Sequence, residues 1–118
     1  MSSRHVAATQ AAFYVGTGAW PLLHRRSFER VTGRKTDFWL AQTVGLTVAA
    51  IGIGLAQAVW RRRGVPAELR TVAAMSAAGL ALVDVTFVAR GRISKIYLAD
   101  AVAEAALIAG WLQARDRA

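Results

Sequence analysis

Apolar and polar positions alternate along this chain in long blocks. Four stretches contain no Lys or Arg: Val6–His24, Thr36–Trp60, Thr71–Ala89 and Ile96–Ala114, each about 19 to 25 residues. A helix needs about 20 largely apolar residues to cross the hydrocarbon core of a bilayer. The basic residues gather between these stretches, in Arg25–Lys35, Arg61–Arg70 and Arg90–Lys95, with Arg4, Arg115 and Arg117 near the ends. The pattern predicts an all-α protein. It reads as a four-transmembrane-helix bundle with spans at about 6–23, 37–60, 67–89 and 94–113, in a single integral membrane domain over 1–118.

Punctuation residues refine these boundaries. The first helix is expected to run from about Val6 to Trp20, because Pro21 has no amide proton to continue it. Pro21 can instead open a short amphipathic helix over about 21–32, lying on the membrane surface between helices 1 and 2, with Gly33 as its C-terminal cap. Thr36 or Asp37 can cap helix 2, Pro66 can open helix 3 with Glu68 in its first turn, and Ser94 can cap helix 4. Small residues four apart predict close packing: Gly45/Ala49, Gly52/Ala56, Gly54/Ala58, Ala73/Ala77/Ala81 and Ala105/Ala109. Trp20, Phe38, Trp39, Trp60, Tyr97 and Trp111 lie near span ends and resemble an interfacial belt. For Trp111 a core position fits equally well.

Composition narrows the class. The 118 residues are 55% hydrophobic, carry a formal net charge of +8 and include no Cys. So much apolar surface excludes a disordered chain. The absence of Cys excludes disulfide scaffolds, thiolate metal sites and a Cys nucleophile. The length disfavours a second domain. Basic residues confined to helix ends argue against nucleic-acid binding, which wants them along one helix face. Mean hydropathy is only +0.34, because the spans are rich in Ala, Gly and Thr; they insert cooperatively, with polar side chains covered by neighbours. The localisation expected is the cell membrane, multi-pass. Four spans put seven basic residues on one side and eight on the other, so the positive-inside rule does not set the orientation.

Three acids fall inside the spans: Asp84 on helix 3, and Asp100 and Glu104 on helix 4. Acids at membrane depth are costly and mark a functional site by default. Asp84 lies six residues before Arg90 and Asp100 five after Lys95. At about 1.5 Å per residue, both sit roughly 8–9 Å inside one boundary. Glu104 follows one turn deeper on the face of Asp100, which Tyr97 and Trp111 share. Gln10, Tyr14 and Thr17 form a polar stripe on helix 1, and Gln42 stands at a matching depth on helix 2. Convergence of these stripes predicts a polar intramembrane pocket, with Asp84, Asp100, Glu104, Tyr14, Gln42 and Tyr97 as ligand-binding or proton-carrying candidates. The alternative is purely structural: Asp84 and Asp100 pair with Arg90, Arg92 or Lys95, or hydrogen-bond Tyr14 and Gln42.

Arg25, Arg26, Arg34 and Lys35 are candidates for holding lipid head groups. They serve equally well as a topology-setting loop. His5 and His24 lack a second ligand at i+3 or i+4, so no metal is expected, and His24 fits an interfacial residue. Gly16-x-Gly18 lacks the strand and third glycine of a dinucleotide site, so no cofactor is expected. No nucleophile–base arrangement accompanies the acids.

A first span leading into Pro21, a short helix containing Phe28 and ending Val31-Thr32-Gly33, and three further spans together resemble the small bacterial DoxX-like four-helix membrane proteins. The resemblance implies an accessory subunit of the bacterial inner membrane, associated in some members with quinone-linked oxidoreductases or thiol-stress complexes. It carries over no catalytic residue, and the lack of Cys removes direct thiol chemistry. Small multidrug-resistance exporters have a similar length and span number, but their defining acid sits in the first span, where this chain has none. The function expected is a ligand-binding or accessory subunit of a membrane complex. The alternatives are a proton-coupled small-molecule transporter using Glu104 and a membrane enzyme acting on a lipid-like substrate. Partners expected are membrane lipids, a small-molecule ligand, and a second copy or larger membrane complex.

Overall fold

Ser2 opens the first helix: its hydroxyl accepts the His5 amide at 3.3 Å, the bond an N-cap serine supplies. The computed structural model describes residues 2–61 and 64–114. The loop residues Arg62 and Arg63 and the C-terminal Arg115 and Arg117 lie outside that set. Five helices follow one another: α1 Ser3–Leu23, α2 Arg25–Thr32, α3 Phe38–Arg61, α4 Ala67–Ala89 and α5 Tyr97–Gln113. The chain is all-helical, as its periodicity predicts.

Two expected boundaries move. Pro21 does not end the first helix, which runs through it to Leu23. The proline ring is accommodated by Gly45 of α3, where a β-carbon would come within 2.8 Å of Pro21 Cγ. The turn to the short helix therefore falls at His24, whose backbone leaves the helical region. His24 Nδ1 caps α2 by accepting the Ser27 amide at 3.2 Å. The second shift is at α5, which starts at Tyr97 rather than Ser94. Ser94, Lys95 and Ile96 accept amides three residues on, from Tyr97, Leu98 and Ala99, the tighter winding common at helix starts. Gly33 does terminate α2, with φ +97° and its amide on the Glu29 carbonyl.

Contacts fix the directions. Arg4 Nε donates to the Val59 carbonyl at 3.2 Å, Gly52 faces Val15, and Gly18 faces Gly45 and Ala49. Numbers rise on α1 as they fall on α3, so the pair is antiparallel. Val6 meets Gly110 and Tyr14 meets Glu104, so α1 and α5 are antiparallel as well. Arg70 over Trp111 and Asp84 beside Asp100 give α4 and α5 the same relation. The long helices thus run up, down, up, down. The bundle measures 48 × 28 × 18 Å. Its thinnest dimension is less than two helix diameters, so much of each helix faces outward.

The tightest contact is between α1 and α3. A β-carbon on Gly18 would lie 2.5 Å from the Gly45 carbonyl oxygen and 2.7 Å from the Ala49 nitrogen. Gly45, Ala49 and Gly52 are buried on this face, where small residues let two backbones touch. On α4 the buried stripe is Ala73, Ala77 and Asp84. Of the expected small-residue pairs, Ala105/Ala109 faces outward and Ala56 is exposed, so these take no part in packing.

Two helices, α3 and α4, are long and apolar enough to cross a membrane. Four such spans were expected. At 17 residues, α5 rises only about 26 Å, and α1 is diluted by Thr9, Gln10, Tyr14 and Thr17. Large apolar side chains stand out from the bundle, including Trp39, Leu46, Ile53 and Trp60 on α3, and Met75 and Leu82 on α4.

The backbone contact between α1 and α3 yields a test. Gly45→Ala places a methyl against the Gly18 carbonyl and the Pro21 ring, and is expected to cost about 1–3 kcal/mol in reversible unfolding. Gly79→Ala, with open space around it, is expected to be neutral or to gain up to about 1 kcal/mol. Equal effects at the two positions would contradict this packing.

Candidate functional site

The interior is polar where α1 meets α4 and α5. Tyr14 is fully buried, and its hydroxyl donates to Glu104 Oε1 at 2.7 Å. Glu104 is only 1% exposed. The half-buried Asp100 neighbours both Glu104 and Asp84. Asp84 is 5% exposed, and its Oδ2 has no hydrogen-bond partner. Four candidates named from sequence, Tyr14, Asp84, Asp100 and Glu104, are thus brought together.

The ion-pair alternative for Asp84 and Asp100 is absent among the described residues, where Arg25 pairs with Glu29 instead. Arg90 turns instead toward the Phe87 ring, 5.8 Å away. Among the described residues, the three acids are therefore clustered without a basic counter-charge. Among the described residues no group of three His, Cys, Asp or Glu side chains has a metal-holding arrangement.

A second interior group escaped the list of candidates. Gln10 is fully buried. Its Nε2 donates to the Ala73 carbonyl of α4 at 3.0 Å, and its Oε1 accepts Trp111 Nε1 of α5 at 2.6 Å. Trp111 is a core residue and not part of a belt. The signal was present: Gln10 is one turn from Tyr14, and Trp111 shares the face of Glu104. Thr17 does not join them; it is exposed and donates to the Phe13 carbonyl on its own helix.

Gln42 and Tyr97 lie outside the cluster. Gln42 is exposed and borders a cleft of about 560 Å³ between the end of α1 and the start of α3. Gly45, Ala49 and Gly52 occupy the packed face of α3 so closely that no long side chain enters there. Tyr97 is the first residue of α5, and its ring receives Lys35 Nζ at 5.1 Å from the centroid.

The basic segment is a folded hook. Trp20 Nε1 donates to Ser27 Oγ at 2.8 Å, and Phe28 lies edge-on between Trp20 and Phe38. Glu29 Oε2 accepts the Lys35 amide at 2.8 Å, while Oε1 accepts Arg25 Nε at 2.9 Å. The Arg25 guanidinium stacks 4.4 Å over Phe38, and Lys35 Nζ sits 5.4 Å over Phe28. Of the four head-group candidates, Arg25 and Lys35 are therefore held by the hook, while Arg26 and Arg34 are exposed. Gly33 approaches Ser94, so the hook closes against the α4–α5 turn.

The Lys35 amide, and after it the Arg25 guanidinium, hold the Glu29 carboxyl below the usual glutamate range. Its contribution is complete above the ordinary glutamate pKa and is lost as pH falls through the lower folded value. A carboxyl-carbon titration by NMR is expected to place Glu29 below an unperturbed glutamate, and a value at or above it would contradict the hook. No family model, no curated protein and no solved structure matches the chain.

Proposed function

We propose that this chain is a small four-span membrane protein whose Asp84–Asp100–Glu104 cluster takes up and releases protons, as the proton-carrying element of a transporter or of a larger membrane complex. The observation that carries this proposal is two buried carboxyls, Asp84 and Glu104, with the half-buried Asp100 beside them and no cation among them in the described residues. A purely structural cluster would give each buried oxygen a partner, and Asp84 Oδ2 has none among the described residues. A proton is the one ligand that needs no cavity, and Glu104 is packed tightly against Tyr14.

Several features support α1 and α5 as spans beside α3 and α4. Their polar residues Gln10, Tyr14 and Glu104 are buried, as polar groups at membrane depth must be. The outward faces of α3 and α4 are apolar, with only 28% and 17% of their most apolar windows buried. A soluble core helix would bury most of that surface. A DoxX-like accessory subunit is one setting in which such a protein would work.

Tyr14 and Glu104 have distinct roles in this proposal. Glu104 exchanges the proton, and the Tyr14 hydroxyl positions one of its oxygens. Asp100 stands between Glu104 and Asp84 and passes the proton along the cluster. Asp84, six residues from Arg90, connects it toward the basic end of the bundle.

Infrared difference spectroscopy on protein in lipid tests this directly. As pH is cycled, the carbonyl band of a protonated carboxylic acid is expected to disappear and return reversibly. Glu104→Gln is expected to remove most of that change while leaving the helical content intact. Asp84→Asn, which keeps the shape but offers no second carboxyl, is expected to shift the pH at which it occurs. A spectrum with no reversible carboxylic band in the wild type would contradict the proposal.

A further inference from the structure

The cleft between the end of α1 and the start of α3 is separate from the carboxyl cluster. We propose that it binds one anionic phospholipid by its phosphodiester group. This inference rests on the membrane reading above but not on proton exchange.

The cleft's volume, about 560 Å³, is within the range of small-ligand sites, about 300–1,000 Å³. Its wall is divided by chemistry. Leu22, Leu23 and Trp39 form an apolar flank, and all three are exposed. Arg25, Thr36 and Gln42 provide the polar part. An isolated phosphate would use only the polar half, and an alkyl chain only the apolar one. A lipid head group with its first methylenes uses both, its chains continuing along the outward face of the bundle.

Arg25 is built to receive such a group. Its Nε is taken by Glu29 and its plane rests on Phe38. That leaves the two terminal nitrogens without an acceptor among the described residues, on a side chain held at one nitrogen and over one ring while 58% of it stays exposed. A held guanidinium loses little freedom on binding an anion and matches phosphate oxygens in pairs. The surrounding field favours negative charge, since residues 24–37 contain five basic residues and two acids. The same surplus disfavours a second copy of this chain on the cleft, which would bring like charges together.

The experiment uses the full chain, purified in a non-ionic detergent and stripped of lipid. Native mass spectrometry and thermal unfolding are followed on addition of phosphatidylglycerol, phosphatidylcholine or inorganic phosphate. One equivalent of phosphatidylglycerol is expected to bind and raise the unfolding temperature, with neither of the others doing so at the same concentration. Arg25→Gln is expected to weaken phosphatidylglycerol binding at least tenfold. Gln42→Ala, at an exposed position that the fold does not need, is expected to weaken it severalfold. Arg92→Gln, at the same end of the bundle but outside the cleft, is expected to leave it unchanged.

Equal loss in the Arg92 and Arg25 variants would overturn the site in favour of diffuse attraction. Competition by inorganic phosphate as strong as by lipid would overturn the lipid as occupant. Equal binding of phosphatidylcholine would overturn the selectivity for an anion. A chain that stays monomeric in buffer without detergent would instead overturn the membrane reading. A chain that inserts in bilayers but binds phosphatidylglycerol no better than phosphatidylcholine would overturn this site alone.

Discussion

Two side chains of α1 hold the halves of this molecule together. The helices pack as two close pairs, α1 with α3 and α4 with α5, and the seam between the pairs runs along α1. Gln10 reaches the Ala73 carbonyl and the Trp111 indole, and Tyr14 reaches Glu104. In an apolar surrounding, leaving such a group without a partner costs several times what a solvated surface hydrogen bond contributes. Each bond therefore joins the pairs and also dictates their register, because a slip of one turn would strand both ends. Between largely apolar helix faces, this satisfied polar seam specifies which helices meet.

The carboxyl cluster follows from the same seam. Tyr14 draws Glu104 inward, and the turn of helix between Glu104 and Asp100 brings Asp100 to the same face. Ala73 and Ala77 are buried on one stripe of α4, and Asp84 continues it. The cost falls most on α1, the least apolar of the long helices, which turns Gln10 and Tyr14 inward, while α3 and α4 present apolar outer surface. At the basic end the hook of α2 closes the bundle through a different set of forces, in which aromatic edges and stacked cations surround Glu29.

Much of this was legible in the residue order. Blocks of spanning length without Lys or Arg marked the four long helices. Counting from Arg90 and Lys95 put Asp84 and Asp100 at one depth, and helical periodicity added Glu104 and Tyr14. The failures have specific causes. Pro21 was expected to end a helix, but α1 runs through it to Leu23, and its ring packs against Gly45, a glycine 24 residues on. Gln42 was matched to the cluster by depth, whereas rotation around α3 decides its place, and the packed face there is reserved for Gly45, Ala49 and Gly52. Tyr97 has the right face but stands at the very start of its helix, within reach of Lys35. Gln10 was seen as part of a stripe, yet its two partners on two different helices are a property of the assembled bundle. In the same way, Ala105 and Ala109 have the spacing of a packing pair but no helix opposite them.

The claim that the seam is a specific hydrogen-bonded contact is tested most directly by a double-mutant cycle on Tyr14 and Glu104, read as reversible unfolding of the protein in lipid or mild detergent. Tyr14→Phe, Glu104→Gln and the double variant are compared with the wild type. A shared buried contact predicts a coupling of about 0.5–3 kcal/mol, with the double variant less destabilised than the sum of the two single ones. Additive effects, with no coupling beyond measurement error, would mean that the two residues do not meet and that another contact joins the helix pairs.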